Sequence, residues 1–552
     1  MKIVIIASDM ETNNAFSRFI GDFLDGAVAE KAGIVEIRTG TSAPVPFSAS
    51  FSWPADSVIT GLKYDSRNVV PGDLYFALPG LHTDGHDFIS HAVDCGALAV
   101  IHQNECPEFR EGIIYIRVKD SRFAMSPIAD TFYNFPSRRM GIIGVTGTEG
   151  KSTTVYLIYQ LLKLLGRKAG FVSTVQHGDG LTEKWNSEHQ TTPEAVTVHL
   201  LLAEMLRNGA EFAVLESSSH GLSKKTNRLG DVDFDVGVMT CVTHEHLEFH
   251  GTWGQYRSDK AELFRVLGTS PTAHRKQGPT GEFTVPSFGV VNADDASADY
   301  FASAAGQKVY SFSAKGAMAD LSIKKLESSA GGNKYEVLVS STGKTVSVKD
   351  NLSGAFNAGN VLASILVVSN LLSVGIEELI PLVPLLKPVR GRMTAVNLGQ
   401  PFEVLVDYAH TPSSFETVFP PLKERIKRSG GRLISIFGSA GERDTKKRSR
   451  QGEIAARYSD LVFLADEDPR GEEPMGILEE IAQGCSNMIR NETLFLIPDR
   501  PKAIRKAFSL ARPGDLVLLL GKGHENSIIY ASETISYDEI TEAENALKEA
   551  GY

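Results

Sequence analysis

Long apolar runs are missing from this sequence. No segment approaches the ~20 consecutive apolar residues that a membrane-spanning helix requires, which argues against a membrane span. Cysteine is scarce: Cys95, Cys106, Cys241 and Cys485 are the only four in 552 residues. They are scattered, with neither the close pairing of a zinc site nor the density of a disulfide scaffold, and so suggest idle or buried thiols in a reducing cytoplasm. Positive charge is also short. Against 67 Asp and Glu stand 56 Lys and Arg, a net charge of −11, which argues against a general nucleic-acid binder. An acidic chain that handles anionic substrates must concentrate its positive charge locally, through Lys, Arg, Mg2+ and helix N-termini. No secretion signal is expected either. Met1-Lys-Ile-Val-Ile-Ile-Ala7 is too short an apolar stretch and runs on into acidic sequence, so it reads as a first strand.

What is present is ordinary globular composition, 42% apolar and 22% charged, in a chain too long for one core. Three or four domains are expected. The organising stretch is Ile142-Ile-Gly-Val-Thr-Gly-Thr-Glu-Gly-Lys-Ser-Thr-Thr154. Ile142–Val145 predicts a buried strand, and the apolar periodicity from Val155 to Leu165 predicts a helix. Between them, Gly147, Thr148, Glu149, Gly150, Lys151, Ser152 and Thr153 form a glycine loop that opens the helix. Backbone N–H groups and the helix dipole then face phosphates, Lys151 neutralises the β/γ charge, and Ser152 can ligate Mg2+. The strict phosphate-loop pattern is not met, because Val145 stands where its first glycine belongs. Alone, such a segment is also compatible with a plain strand–helix turn; the flanking strand and helix favour phosphate binding.

Residues 1–57 carry little signal beyond a Ser/Pro/Ala-rich loop at 39–54. Short strands and turns follow, with a helix predicted from about Asp87 to Cys95. Asp65-Ser66-Arg67 serves equally as a side-chain-stabilised turn or as a set of nucleotide contacts. From Met140 strands and helices alternate, the α/β pattern. Pro193 and Glu194 suit a first helical turn. Phe212–Glu216 is an apolar strand ending in an acid, placed to hold Mg2+ or its water, with helix capping as the alternative. Thr243–Gly251 packs three histidines and two glutamates into nine residues. Without cysteine beside them, Mg2+ or Mn2+ fits better than structural zinc. The polar, basic, Gly/Pro-containing stretch at 268–281 reads as a surface insertion. Residues 308–349 read as strands and hairpins, and a long apolar helix follows Asn357. After a linker near 387–393 come a strand at Val404–Asp407 and four more at about 433–437, 461–465, 493–497 and 516–520. This is a second doubly wound sheet, with polar clusters at strand carboxyl ends where ligands sit.

Taken together, these segments resemble the Mur ligase family, and within it the MurE type, which adds the third amino acid of the peptidoglycan stem peptide. The resemblance is carried by Tyr64-Asp-Ser-Arg67, Gly147–Ser152, Thr191-Thr-Pro193, Glu216-Ser-Ser-Ser-His220, His246–Gly251, Lys260, Asn357, Gly391-Arg392, Asp407–Pro412, Asp468-Pro-Arg470 and Gly521–Glu525, in the family's order. It implies an α/β protein of three domains: a UDP-substrate domain (1–138), a central P-loop-type ATPase domain with a parallel sheet (139–388), and a Rossmann-like amino-acid domain (389–552). It implies ATP and Mg2+ as cofactors, and UDP-N-acetylmuramoyl-L-alanyl-D-glutamate and a diamino acid as substrates. The terminal carboxylate is phosphorylated and the acyl phosphate is attacked by the amine. A cytoplasmic monomer is expected.

By position, the resemblance makes Lys151, Glu216, His246 and Lys260 catalytic or metal-site residues, Lys260 as a carbamate. Gly147–Thr153, Asn292, Asn357, Arg392, Asp407 and His410 fall near ATP. Tyr64, Ser66, Leu81, His82, Thr83, Thr191, Thr192 and Ser218 fall along the UDP-muramoyl-peptide, with Arg228 the candidate substrate arginine. Arg443, Glu467, Asp468, Arg470, Gly521 and Glu525 line the amino-acid pocket. Two departures bear on function. The family's Asp-His-Leu-Asp is Glu245-His-Leu-Glu248 here, which lengthens the acids. Glu467-Asp-Pro-Arg470 replaces the Asp-Asn-Pro-Arg of diaminopimelate-adding enzymes. The added charge of Asp468 is expected to favour a purely cationic side chain, ornithine or lysine. The alternative is that Asp468 points away and diaminopimelate still binds. A folylpolyglutamate synthase relative and a non-catalytic nucleotide scaffold are the competing readings. The Tyr64–Arg67 and Glu467–Arg470 blocks weigh against the first, and the joint retention of Lys151, Glu216, His246 and Lys260 weighs against the second.

Overall fold

A computed structural model describes residues 16–47, 51–80, 83–106, 108–186, 190–243, 247–267, 275–279, 281–329 and 331–552. Three large sheets organise the chain, each packed on its own apolar clusters. The strand expected at residues 1–7 lies outside the described residues.

The first sheet has six strands in the order Val45–Pro46, Ile34–Thr39, Ile114–Val118, Ala99–His102, Leu74–Phe76, Leu62–Lys63. The last four pair in parallel, and Ile34–Thr39 pairs antiparallel with both Ile114–Val118 and the edge strand Val45–Pro46. Residues 16–57, hard to read as sequence, contribute the helix Gly26–Ala32, which Asp25 caps and Gly33 ends in the left-handed region. The helix Ser121–Phe132 covers the sheet with Ala124, Met125, Ile128, Ala129 and Phe132 buried.

The central sheet has eleven strands. At its middle lies β1 (Gly141–Thr146), followed by the helix α1 (Lys151–Leu164). β2 (Phe212–Glu216) pairs in parallel on one side of β1 and β3 (Val236–Met239) on the other. The chain therefore switches direction at the carboxyl end of β1, where an open parallel sheet leaves a crevice. These three strands are buried throughout, as parallel strands covered on both faces must be. α2 (Trp253–Arg265) and the apolar α3 (Asn357–Leu372) complete the layers. α3 is buried on nearly every face and packs against α1. The sheet ends in three long antiparallel strands between Leu321 and Lys349.

Periodicity had placed the start of α1 at Val155. It begins four residues earlier, because Gly150 in the left-handed region (φ 83°) turns the chain directly into the helix. The insertion also departs from expectation. Residues 268–274 lie outside the described residues, but Arg275–Gly278 and Gly281–Thr284 form a hairpin. Its Lys276 is buried rather than solvated. It donates to the Ser137 carbonyl at 3.0 Å and pairs with Asp233 and Asp235 at 3.0 and 3.1 Å.

The third sheet runs Thr394–Ala395, β4 (Glu403–Asp407), β7 (Leu516–Leu520), β5 (Leu433–Phe437), β6 (Leu461–Leu464), Leu494–Leu496, parallel except at its first edge. The three expected polar clusters, at 438–444, 466–472 and 521–525, follow the carboxyl ends of β5, β6 and β7. Among the described residues no single helix is long and apolar enough to cross a membrane.

Candidate active site

The phosphate loop is held open from beneath. Gly147 and Gly150 both have positive φ, and a Cβ would stand 1.9 Å from Thr240 Oγ1 at the first and 2.6 Å from Asn360 Oδ1 at the second. Side-chain atoms would therefore displace the very groups that shape the loop. Thr240 Oγ1 donates to the Glu149 carbonyl, the Asn292 amide donates to the Thr240 carbonyl at 2.8 Å, and the Thr148 N–H donates to the Cys241 carbonyl at 2.7 Å. Asn357 does not face the loop directly. Its Oδ1 accepts from Asn360 at 2.9 Å, and Asn360 is the residue that meets Gly150. Asn360 and Thr240 are thus loop-shaping residues that motif reading passed over.

Lys151 stands at the first position of α1, half-buried, with Nζ 2.8 Å from the Thr148 carbonyl. It is thus folded back over the loop. Ser152 Oγ donates to Glu216 Oε2 at 2.9 Å, and the same oxygen accepts the Thr174 N–H at 2.8 Å. Both side chains are buried. A hydroxyl and a carboxylate joined at the mouth of a phosphate loop are hard oxygen donors of the kind Mg2+ takes, since that ion completes its shell with water and phosphate. Among the described residues no cluster of three His, Cys, Asp or Glu side chains converges. His246 lies outside the described residues, as do Leu81 and His82. Lys260 is buried, donates to the Gly147 carbonyl and lies 4.6 Å from the Tyr256 ring centre. It reaches the phosphate loop from α2.

The residues expected along the muramoyl-peptide gather at the seam between the first two sheets. The Tyr64 hydroxyl meets Thr197 Oγ1 at 2.9 Å. Ser66 is buried in a short 3-10 turn capped by Asp65, and Thr83 is exposed. Thr192 Oγ1 lies 2.9 Å from both the Glu216 carbonyl and Ser218 Oγ, while Thr191 precedes it on the same turn. Arg228 donates to the Thr192 carbonyl at 2.9 Å and to Glu194 at 2.8 Å.

In the third sheet, Asp407 receives the Ala409 and Met393 N–H groups, both at 2.8 Å. Burial raises its pKa, and Arg392 works against that rise. The Arg392 guanidinium lies over the Tyr408 ring at 4.6 Å, and the His410 ring nitrogen meets the Tyr408 carbonyl at 2.9 Å. Gly521 makes room for Glu467, whose Oε2 would be 2.7 Å from any Cβ there. That oxygen and Arg470 Nε are buried with no hydrogen-bond partner among the described residues. Arg443 is exposed. Asp468 is not the unopposed charge that the sequence suggested. Its Oδ1 accepts from Lys522 Nζ at 2.8 Å and from the Ile529 N–H at 3.0 Å. Lys522 also pairs with Glu525 at 2.7 Å and is fully buried. Burial works to lower the Lys522 pKa, but Glu525 and Asp468 together outweigh it and hold the ammonium above its ordinary value.

The two halves face each other across a cleft of about 350 Å3. Thr174 and Trp185 line it from the central sheet, and Tyr408, His524 and Glu525 from the third. Thr174 is the residue whose N–H holds Glu216, so the cleft's central-sheet wall is bonded directly to that acid.

Comparison with known proteins agrees with this architecture. The Mur ligase middle domain model matches residues 145–368, the Mur ligase glutamate ligase domain model matches 391–523, and the Mur ligase catalytic domain model matches 58–133. The chain is 50% identical over 512 residues to a UDP-N-acetylmuramyl-tripeptide synthetase of Treponema denticola, covering 89% of this chain and 94% of that one. It is 35% identical to the UDP-N-acetylmuramoyl-L-alanyl-D-glutamate–2,6-diaminopimelate ligase of Geobacillus thermodenitrificans, over 89% and 95% of the two chains. A solved diaminopimelate ligase structure superposes with a TM-score of 0.57 at 27% identity, covering 92% of this chain and 98% of that one. A Thermotoga maritima MurF ligase in complex with ADP shares the fold, with a TM-score of 0.60 at 21% identity over 89% and 98%.

Proposed function

This chain belongs to the Mur ligase family, and we propose that it joins a diamino acid to UDP-N-acetylmuramoyl-L-alanyl-D-glutamate in an ATP-dependent, carbon–nitrogen bond-forming step of peptidoglycan precursor synthesis. The observation that carries this reading is the shared cleft. Activating an acid and delivering an amine demand that a phosphate site and an amino-acid site open onto the same space, and Thr174 and Glu525 line one cavity.

The chemistry explains the residues. A carboxylate approaching a triphosphate meets Coulomb repulsion, which Lys151 and the N-terminus of α1 offset where charge develops. Ser152 and Glu216 would hold Mg2+, with His246 and Lys260, if carbamylated, as further ligands. The ion would neutralise phosphate charge. Phosphorylation turns a poor leaving oxygen into a good one. The incoming amine, unprotonated, attacks the acyl carbon, forms the amide bond and expels phosphate. Water has to be kept from the acyl phosphate, and closure of the cleft between the second and third sheets supplies that exclusion. Such a reaction on a nucleotide-linked precursor belongs in the cytoplasm, where ATP is available.

The pocket supports a diamino acid with a cationic end. Glu467 Oε2 is a buried acceptor without a partner among the described residues, and two carboxylates pair with Lys522. Ornithine or lysine fits this balance better than diaminopimelate, whose far end adds a carboxylate. Incubating the protein with the nucleotide dipeptide, ATP, Mg2+ and a mixture of the three amino acids should give ADP, phosphate and a product whose mass identifies the residue added. Turnover of a folate and none of the muramoyl dipeptide would overturn the assignment.

A further inference from the structure

Between the first two sheets lies a charged cluster that no sequence motif announced. Arg122, in the first turn of the helix Ser121–Phe132, donates through Nη1 to Glu194 Oε1. Arg228, from the central sheet's side, donates to the same oxygen at 2.8 Å. Two guanidiniums thus converge on one oxygen of one carboxylate. The other oxygen, Glu194 Oε2, is buried and finds no hydrogen-bond partner among the described residues, and the same is true of Arg228 Nε. A buried acceptor and a buried donor, both left open in an otherwise bonded cluster, are costly unless something else satisfies them.

The surroundings say what that something is. Arg228 Nη1 holds the Thr192 carbonyl, and the Thr192 hydroxyl reaches the carbonyl of Glu216. A ligand fastened at Glu194 therefore leads toward the phosphate loop. On the other side, Arg122 Nη2 approaches the Pro79 carbonyl at 3.5 Å, and the Asn227 amide donates to the Phe123 carbonyl at 3.1 Å. The cluster thus joins the loop that precedes Thr83 to the turn that carries Thr192. Between those points a nucleotide-linked substrate would place its peptide stem, and a peptide has the matching chemistry: an amide N–H to give and a carboxylate or carbonyl oxygen to receive.

We propose that Glu194 is a specificity-determining residue that accepts an amide N–H of the substrate's dipeptide stem through Oε2, while Arg228 Nε donates to the adjoining carboxylate and Arg122 holds Glu194 in place. Arg122 is the positioning member, since it touches Glu194 and not the ligand. This inference rests on the reading of the substrate given above.

The test replaces the amide between the two stem residues with an ester, which removes the N–H and keeps the shape. The parent protein should lose about tenfold or more in kcat/KM on going from amide to ester, the scale of a hydrogen bond to a charged acceptor. In Glu194→Ala that penalty should shrink to about twofold or less, and in Glu194→Gln, which keeps only a neutral acceptor, to a value between that and the parent's, with the KM for ATP close to the parent's in both. Arg122→Lys should restore more of the discrimination than Arg122→Ala. An equal penalty in parent and Glu194→Gln, or no penalty in the parent, overturns the proposal, because a merely structural glutamate would leave the ratio unmoved. Should Glu194→Ala fail to fold, the Gln variant decides alone. Absence of turnover of the natural amide substrate by the parent would remove the functional reading itself, and this inference with it.

Discussion

Replacing Asp468 with Asn removes one negative charge from the amino-acid pocket and keeps the accepting oxygen. That oxygen meets Lys522 Nζ at 2.8 Å and the Ile529 N–H at 3.0 Å. The variant therefore still bonds both, and Lys522 still has Glu525 at 2.7 Å. The stability cost should be about 1 kcal/mol, the difference between a charged and a neutral acceptor. Selectivity should move further. Around Lys522 the local charge goes from two carboxylates against one ammonium to one against one. At ~6–8 Å and an effective dielectric of ~20–40, each unit of ligand charge feels about 1–3 kcal/mol of that change. The side-chain end of ornithine or lysine carries one positive charge, whereas the far end of diaminopimelate carries one of each sign. The change should therefore weaken the first two and leave the third about where it was. A competition of equal amino-acid concentrations, read by mass analysis of the nucleotide tripeptides, should show the product ratio shifting about five- to hundredfold toward diaminopimelate. A ratio that moves less than twofold, or moves the other way, with the protein folded by melting, would refute the idea that charge at this position reads the side chain.

Lys151→Ala should lower ligation by about a thousandfold or more and leave the urea midpoint within ~1 kcal/mol of the parent, since the side chain is half-buried; normal turnover would contradict the phosphate role. Lys276→Met should cost about 3–5 kcal/mol in urea unfolding, because the buried Asp235 loses its cation; an unchanged midpoint would show the hairpin to be only surface. Asp130→Asn carries a sign as well as a size. Burial pushes Asp130 up to about 7 against an ordinary carboxyl near 4, with Arg138 opposing the rise. Below pH 4 both folded and unfolded chains hold that proton. Between pH 4 and 7 the unfolded chain gives it up first, so native stability falls as pH rises, by at most about 4 kcal/mol. Asn never ionises, so the variant should match the parent near pH 4 and exceed it at pH 8. An equal difference at both pH values would refute this.

How far the site could be read from sequence depended on the distance over which each group's partners lie. The phosphate loop is contiguous: strand, glycines, lysine and helix occupy fourteen residues from Gly141 to Thr154, and its chemistry is local enough to be seen in one line of sequence. The doubly wound pattern was legible for the same reason, since each strand and helix carries its own periodicity. What sequence could not show was where the charges pair. Asp468 read as an added negative charge because its cation, Lys522, lies 54 positions away. Lys276 lay in a stretch read as a surface insertion because Ser137, which accepts from it, lies 139 positions away. Glu194 read as a helix-start acid, and its partner Arg122 stands 72 positions earlier in another sheet's helix. Each of these is a buried charge, and burial forces pairing whatever the separation along the chain, because an unpaired ion out of water costs several kcal/mol. Sequence shows that the charge exists; only the fold shows whether it has already been spent. The consequence for function is direct. Lys151 can meet a phosphate because its own bond is to a neutral carbonyl, whereas Lys522, tied to two carboxylates, serves the pocket by setting its balance.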